Sequence, residues 1–448
     1  MMTNAFRTNT RSWGSITSLL IVGGTIILGG CATKPRELMP TPVIYDQPAA
    51  QAVFDEVPPD RRNADVDLLY ITDRAPDQSA EAELPYGEKR SRSLAFGSVN
   101  VALLPSMGWQ DLQRHSLSDP RDEQITLEIG AVKELDRYPM EPYPLETDAT
   151  GLIRDPDTLA AHRRTNAALQ AEVQRRLESA PSKQVVLYVH GFNETFATAA
   201  YTAAELCHFF GRVHVCSFFT WPASTTGNPL TSYVSTTESA QYSVSHLKKV
   251  IRTLAQTPGV EGIQLLAHSR GTAVLLSAIR ELSIEAIAAG QSPAEALKFE
   301  NWVLMSPDID KDVAAQQLEI FASDPDLITD WTSPNLPKFL RGRFTVYASA
   351  EDKALRLSQI LFRSTDRVGQ LTAEDIPEHI QDYFGSVGSV DIIDNNEKRT
   401  DRWGHGYFAS NPRVSADLVE LVRNGTPPGG PGRPLIRTGK VTWQFPKD

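Results

Sequence analysis

The sequence predicts an α/β fold, a mostly parallel, doubly wound sheet flanked by helices. Three observations carry this prediction. Val185–Val189 is a short, wholly apolar run rich in β-branched residues, the pattern of a strand buried on both faces of a parallel sheet. After it, helical and strand patterns alternate down the chain, as in βαβ units. The chain has 448 residues, of which 41% are hydrophobic, enough for a sizeable core and too many for global disorder.

The first predicted strand is the apolar run Val66–Ile71, and a second strand region covers Leu94–Leu104. Residues 105–155 are polar and contain proline, so they read as an insertion with one possible strand at Ile125–Ile129. Thr158–Ser179 is rich in Ala, Leu, Glu, Gln and Arg and predicts a helix. Thr195–Phe210 reads as a helix and Val213–Phe219 as a strand. Ser239–Ala255 is an amphipathic helix with Val244, Leu247, Val250, Ile251 and Leu254 on one face. Ile263–Ala267, Trp302–Met305, Phe344–Ala348 and Val387–Ile393 follow as strands. An apolar helix covers Thr272–Leu282, and a closing helix spans about Val414–Val422. No internal repeat is found.

The N-terminus has the layout of an export signal: Arg7 and Arg11, an apolar stretch from about Ile16 to Leu28, then Leu28-Gly29-Gly30-Cys31. The apolar stretch is short for a membrane-spanning helix. Its ending resembles a bacterial lipobox, which implies that Cys31 is lipidated and becomes the mature N-terminus. Ala32, rather than Asp, follows the cysteine. By that resemblance the expected location is the cell envelope, at the outer membrane facing the periplasm. Residues 32–62, rich in Pro, Ala and Asp, read as a flexible tether, and residues 63–448 as the folded domain. Export permits a disulfide between Cys207 and Cys216, but buried free thiols are the expectation, since pairing geometry is not legible in sequence.

A formal net charge of -11 argues against nucleic acid as a partner. The basic run Lys89, Arg90, Arg92 has Glu88 beside it and reads as a solvated loop. No phosphate-binding glycine loop, dinucleotide fingerprint or zinc spacing of Cys and His occurs, so neither a cofactor nor a metal is expected.

The chemistry concentrates in a few loops. Ala267-His268-Ser269-Arg270-Gly271 lies between a predicted strand and a predicted helix. It matches a nucleophile elbow, with Ala at the first small position. Small residues two before and two after Ser269 let strand and helix approach closely while the hydroxyl is lifted above the strand ends. The main-chain N–H of Arg270 then points at a developing oxyanion. A second donor is required from a loop after an earlier strand, and His190-Gly191-Phe192-Asn193 follows Val189 directly. The Phe192 N–H is assigned to this role, with Asn193 as its rival, and His190 reads as structural.

A general base is expected late in the chain. Of nine histidines, His379 and His405 follow the acid candidates. His405, between Gly404 and Gly406 after the last central strand, is preferred. Two acids compete to orient it: Asp352, past the strand Phe344–Ala348, and Asp308, past the strand before that. Asp352 is preferred because it lies two strands after the nucleophile. Trp221-Pro222 reads as a structural corner rather than a site mouth.

With these pieces in place the chain resembles a bacterial family of alpha/beta-hydrolases of unknown function, esterase- and lipase-like. The resemblance rests on Ile71-Thr72-Asp73-Arg74, Tyr86-Gly87, His190-Gly191-Phe192-Asn193, Thr220-Trp221-Pro222, Ala267-His268-Ser269-Arg270-Gly271, Ser306-Pro307-Asp308-Ile309-Asp310 and Gly404-His405-Gly406-Tyr407. The family commonly has Met after the nucleophile, where this chain has Arg270. The resemblance implies the alpha/beta-hydrolase fold and a serine hydrolase acting on a small-molecule or lipid-like acyl substrate, with no cofactor. The rival reading is a membrane-anchored binding or scaffold protein that keeps the fold without turnover.

Overall fold

A computed structural model describes residues 35–79, 82, 84–225, 229–323, 339–362, 366–387 and 389–447. The signal segment and Cys31 lie outside the described residues.

In chain order the elements begin with β1 (Arg36–Glu37), α1 (Pro48–Gln51), β2 (Asp65–Pro76), β3 (Tyr86–Leu104), α2 (Trp109–Ser116) and β4 (Thr126–Arg137). The hairpin β5 (Leu145–Asp148) and β6 (Gly151–Arg154) precedes α3 (Pro156–Ser179). The central alternation is β7 (Gln184–Val189), α4 (Phe196–Phe209), β8 (Val215–Thr220), α5 (Pro229–Gln256), β9 (Gly262–His268), α6 (Gly271–Ala288), α7 (Pro293–Leu297), β10 (Phe299–Met305) and α8 (Lys311–Ser323). Then come β11 (Phe344–Ala348), α9 (Lys353–Phe362), α10 (Glu378–Val387), β12 (Val390–Asp394), α11 (Tyr407–Ser410), α12 (Pro412–Asn424), β13 (Ile436–Arg437) and β14 (Thr442–Gln444).

One large sheet has the order β1-β4-β3-β2-β8-β7-β9-β10-β11-β12-β14-β13. Every pair from β2 to β14 in that order is parallel, and the outer pairs are antiparallel. The central strands are buried throughout, as their apolar runs predict: β8 and β9 have no exposed position. One face of the sheet packs against α4 and α12, with Phe196, Leu206, Phe209, Leu418 and Leu421 in its core. The other packs against α3, α5 and α6, with Leu169, Leu247, Ile251, Leu275 and Ile279. The amphipathic face predicted for α5 is the one that is buried, Leu247, Val250, Ile251 and Leu254 each being inaccessible.

Topology places the site. From β7 the chain turns to β8 on one side and then to β9 on the other, so the winding reverses at β7. In such sheets the crevice for chemistry lies outside the carboxyl ends of the strands at that switch. Register aligns those ends: Val189 pairs with Ala267, His268 with Met305, Met305 with Tyr347, and Ala348 with Asp394. The loops after β7, β9, β10, β11 and β12 therefore leave the sheet at one edge.

Three expectations are corrected. The flexible tether of residues 32–62 does not hold for residues 36–62. Leu38, Met39, Tyr45, Phe54 and Val57 are buried in the core, and the compact unit starts at Arg36 rather than at residue 63. Arg36 pairs at 2.7 Å with Glu205, a carboxylate buried within α4 that also accepts the Met39 N–H at 2.8 Å. These apolar residues sit in short turns without helical or strand periodicity, so pattern reading passes over them. Second, Cys207 of α4 and Cys216 of β8 form a disulfide rather than free thiols. The helix packs on the strand and holds their Cα atoms 5.9 Å apart, within bridging distance. Third, the strand expected at Ile125–Ile129 is longer than its apolar run: β4 continues to Arg137 and pairs along β3 from Leu104 back to Ala95. Among the described residues no helix is long and apolar enough to cross a membrane.

Candidate active site

The turn at Ser269 is tight. β9 ends at His268 and α6 starts at Gly271, which leaves two residues to reverse the chain. Ser269 takes φ 52°, the left-handed region that non-glycine residues rarely adopt. The turn is clamped by hydrogen bonds from the Ser269 N–H to Met305 O (2.9 Å) and from the Asp308 N–H to Ser269 O (3.1 Å). Gly271 is required by close approach: a Cβ there would stand 2.2 Å from His190 O and 2.7 Å from Val189 O. Gly191 is required too, since its Cβ would stand 2.7 Å from Ser269 Cβ. The loop after β7 thus crosses directly over the serine. The main-chain N–H groups of Phe192, Asn193 and Arg270 have no acceptor among the described residues.

His190 is structural, as expected. Its ring is buried and stacks on Trp221 at 5.4 Å. The Trp221 N–H donates to Nε2 at 3.1 Å, so the proton sits on Nδ1, which meets Gly191 O at 2.9 Å. Burial, aided by the Arg74 cation, holds this imidazole well below the usual histidine range. Arg74, buried at the end of β2, donates to Thr220 Oγ1 at 2.8 Å and to Glu194 O at 2.6 Å. Trp221 is inaccessible and donates its indole N–H to His190 O at 2.9 Å, the corner role read from sequence.

The two acids part here. Asp352 Oδ2 lies 2.7 Å from His405 Nδ1, while Oδ1 accepts the Leu355 N–H at 3.0 Å in the first turn of α9. Asp308 instead meets the Tyr233 hydroxyl, Ser358 Oγ at 2.7 Å and Arg367 at 3.4 Å. Asp308 therefore supports the turn, and Asp352 is the carboxylate bonded to the imidazole. His379 lies in α10 and joins neither group.

The His405 loop is held by hydrogen bonds at both ends. Asp401 Oδ1 accepts the N–H groups of Trp403 (2.8 Å) and Gly404 (2.6 Å), and Oδ2 accepts that of Gly406 (2.9 Å). His405 O accepts Ser306 Oγ at 2.7 Å and His268 Nε2 at 3.3 Å, and the His268 and His405 rings lie 4.8 Å apart. The histidine loop is thus tied to the residue that precedes Ser269. Sequence reasoning missed Asp401 and Ser306. An Asp placed before a Gly-containing turn is a signal for the first. Tyr233, Ser358 and Arg367 leave no local signal, since only tertiary contact joins them to Asp308.

Burial pulls the His405 imidazole down, but the Asp352 carboxylate more than offsets it, with help from Asp308 and Asp401, so the net shift is upward. The Nδ1–H bond to Asp352 leaves Nε2 as the ring atom free to take a proton. A base must be neutral, so its action is lost as pH falls through this raised pKa. If the imidazole serves as a general base, kcat/KM for a neutral substrate is expected to rise with pH through a midpoint above the ordinary histidine range. In Asp352→Asn the residual activity should show that midpoint moved downward. A pH–rate series on both proteins reads this, and an unmoved midpoint would detach the acid limb from the His405–Asp352 pair.

Over residues 165–423 the chain matches the family described as alpha/beta hydrolase of unknown function (DUF900). The match covers more than half of the chain, which belongs to this alpha/beta hydrolase family. Solved structures that the chain is similar to include a lipase-esterase related protein from Clostridium acetobutylicum, 11% identical, covering 55% of this chain and 95% of its own, TM-score 0.26. Another is an esterase of Pyrobaculum calidifontis, 12% identical, covering 60% of this chain and 92% of its own, TM-score 0.27. No match is found among curated proteins.

Proposed function

We propose that this protein is a serine hydrolase that cleaves carboxylic esters or related acyl bonds through an acyl-enzyme. Ser269 Oγ attacks the carbonyl carbon and passes its proton to His405 Nε2, while Asp352 holds the imidazole and balances its charge. The N–H groups of Phe192 and Arg270 bind the oxyanion, with Asn193 as the alternative loop donor. His405 returns the proton to the leaving oxygen. Water then attacks the acyl-enzyme, gives a proton to His405 and restores the serine. The observation that carries this reading is the 2.7 Å Asp352–His405 bond, on a loop tied to the residue before a serine held at φ 52°. The test is hydrolysis of p-nitrophenyl esters of graded chain length together with labelling by a fluorophosphonate. A folded protein that neither labels nor turns over any ester would return the chain to the class of silent scaffolds.

We also propose, from the Leu28-Gly29-Gly30-Cys31 ending, that an acylated Cys31 holds the protein at the cell envelope. Burial of a lipid contributes about 0.8 kcal/mol per CH₂, and one chain alone binds only marginally, so retention requires several. Packing from Arg36 onward leaves only residues 32–35 between Cys31 and the folded body. An anchor at Cys31 favours substrates of the envelope. Fractionation of wild type and Cys31→Ser tests it. Wild type is expected in the detergent phase with the mass of an acylated cysteine, and Cys31→Ser in the aqueous phase. Unmodified wild type in the aqueous phase would remove the anchor.

A further inference from the structure

Beside the nucleophile turn lies an open cavity of about 430 Å³, a volume within the range of small-molecule sites. Its walls are largely apolar, with Val244, Val274 and Ile309 among them, yet two guanidiniums line it, those of Arg270 and Arg367. Both lie over the ring of Phe362, at 5.5 and 5.0 Å from its centroid. Phe362 packs on Tyr233 (5.1 Å), and Tyr233 packs on Phe192 of the loop that crosses Ser269 (5.0 Å). The cavity therefore adjoins the reacting centre.

Its hydrogen-bonding capacity is unbalanced. A guanidinium has five N–H donors. Arg367 is only 3% exposed, fixed by a backbone bridge to Asp310. Its Nε stands 3.4 Å from Asp308 without a hydrogen bond, and no other guanidinium hydrogen bond of Arg367 occurs among the described residues. Arg270 donates once, from Nη1 to Asp308 O at 3.3 Å, and its buried Nε has no partner. Two carboxylates stand near, Asp308 and Asp310, and Asp310 is itself on the cavity wall. Asp308 accepts from Tyr233 and Ser358, and Asp310 accepts the N–H groups of Asp312 (2.9 Å) and Val313 (3.3 Å). Guanidinium donors that face a cavity and have no protein acceptor are available to bind an anion with charge-assisted bonds.

We infer that the substrate carries an anionic head group, a carboxylate or a phosphate, bound by Arg270 and Arg367 in this cavity while its ester lies at Ser269. The inference rests on the hydrolase reading. The test compares kcat/KM for p-nitrophenyl hexanoate with that for the same ester bearing an ω-carboxylate or an ω-phosphate. Wild type is expected to prefer one of the charged esters by about tenfold or more. Arg367→Gln should abolish that preference. Val313→Glu, at an exposed position of the cavity wall, should do the same by repulsion without disturbing the Asp308–Arg367 pair. Wild type without preference, or a preference unchanged in both variants, overturns the inference while leaving ester hydrolysis intact. If no ester is turned over, calorimetry on Ser269→Ala decides independently. Tighter binding of hexanoate or hexyl phosphate than of the neutral hexanamide supports the anion site, and equal binding overturns it.

Discussion

Ser269→Ala is expected to abolish fluorophosphonate labelling and to lower ester turnover by roughly 10⁴- to 10⁶-fold, the scale on which serine hydrolases lose rate with their nucleophile. The reason lies in the turn. Among the described residues only Ser269 places a hydroxyl on a left-handed residue beneath Gly191. Labelling is the cleaner readout, because oxyanion donors and binding alone sustain a residual rate. Removing one oxygen should leave the fold intact, since the clamps on the turn are main-chain bonds of Ser269 rather than bonds of its hydroxyl. A folded Ser269→Ala protein that keeps full turnover would transfer the reaction to another group.

The second large effect is expected from Asp352→Asn, a loss of kcat of about 10⁴-fold with little change in KM. An amide NH₂ facing Nδ1 favours the tautomer with the proton on Nε2, which cannot then accept a proton from Ser269. Asp308→Asn should behave differently. It keeps the bonds to Tyr233 and Ser358 but leaves the buried Arg367 without its counter-charge. Its cost should fall on stability, on the order of 3 kcal/mol, and on the His405 pKa rather than on kcat. Thermal unfolding and single-turnover rates measured on both variants separate the two roles. If Asp308→Asn is the dead enzyme and Asp352→Asn is near normal, the acid follows β10 instead of β11.

By itself the sequence determined the fold class and the chain order of the site. Apolar runs such as Val185–Val189 are unambiguous because a strand buried on both faces admits no polar position. The pattern Ala267-His268-Ser269-Arg270-Gly271 is legible because its two small residues answer a local steric need, visible as the clash a Cβ would meet at Gly271. His405 is legible from chain order and its glycine flanks. The rest required the tertiary structure. Both Asp308 and Asp352 sit just past strand ends, and local pattern cannot rank them. The choice depends on which carboxylate the β10–β11–β12 register sets against a histidine fifty-three residues away in the chain. Packing of residues 36–57, pairing of Cys207 with Cys216, and convergence of Arg270 and Arg367 on Phe362 are of the same kind. Each joins residues through space with no repeating period. Periodicity reports which face of an element is buried, and it does not report what that face meets.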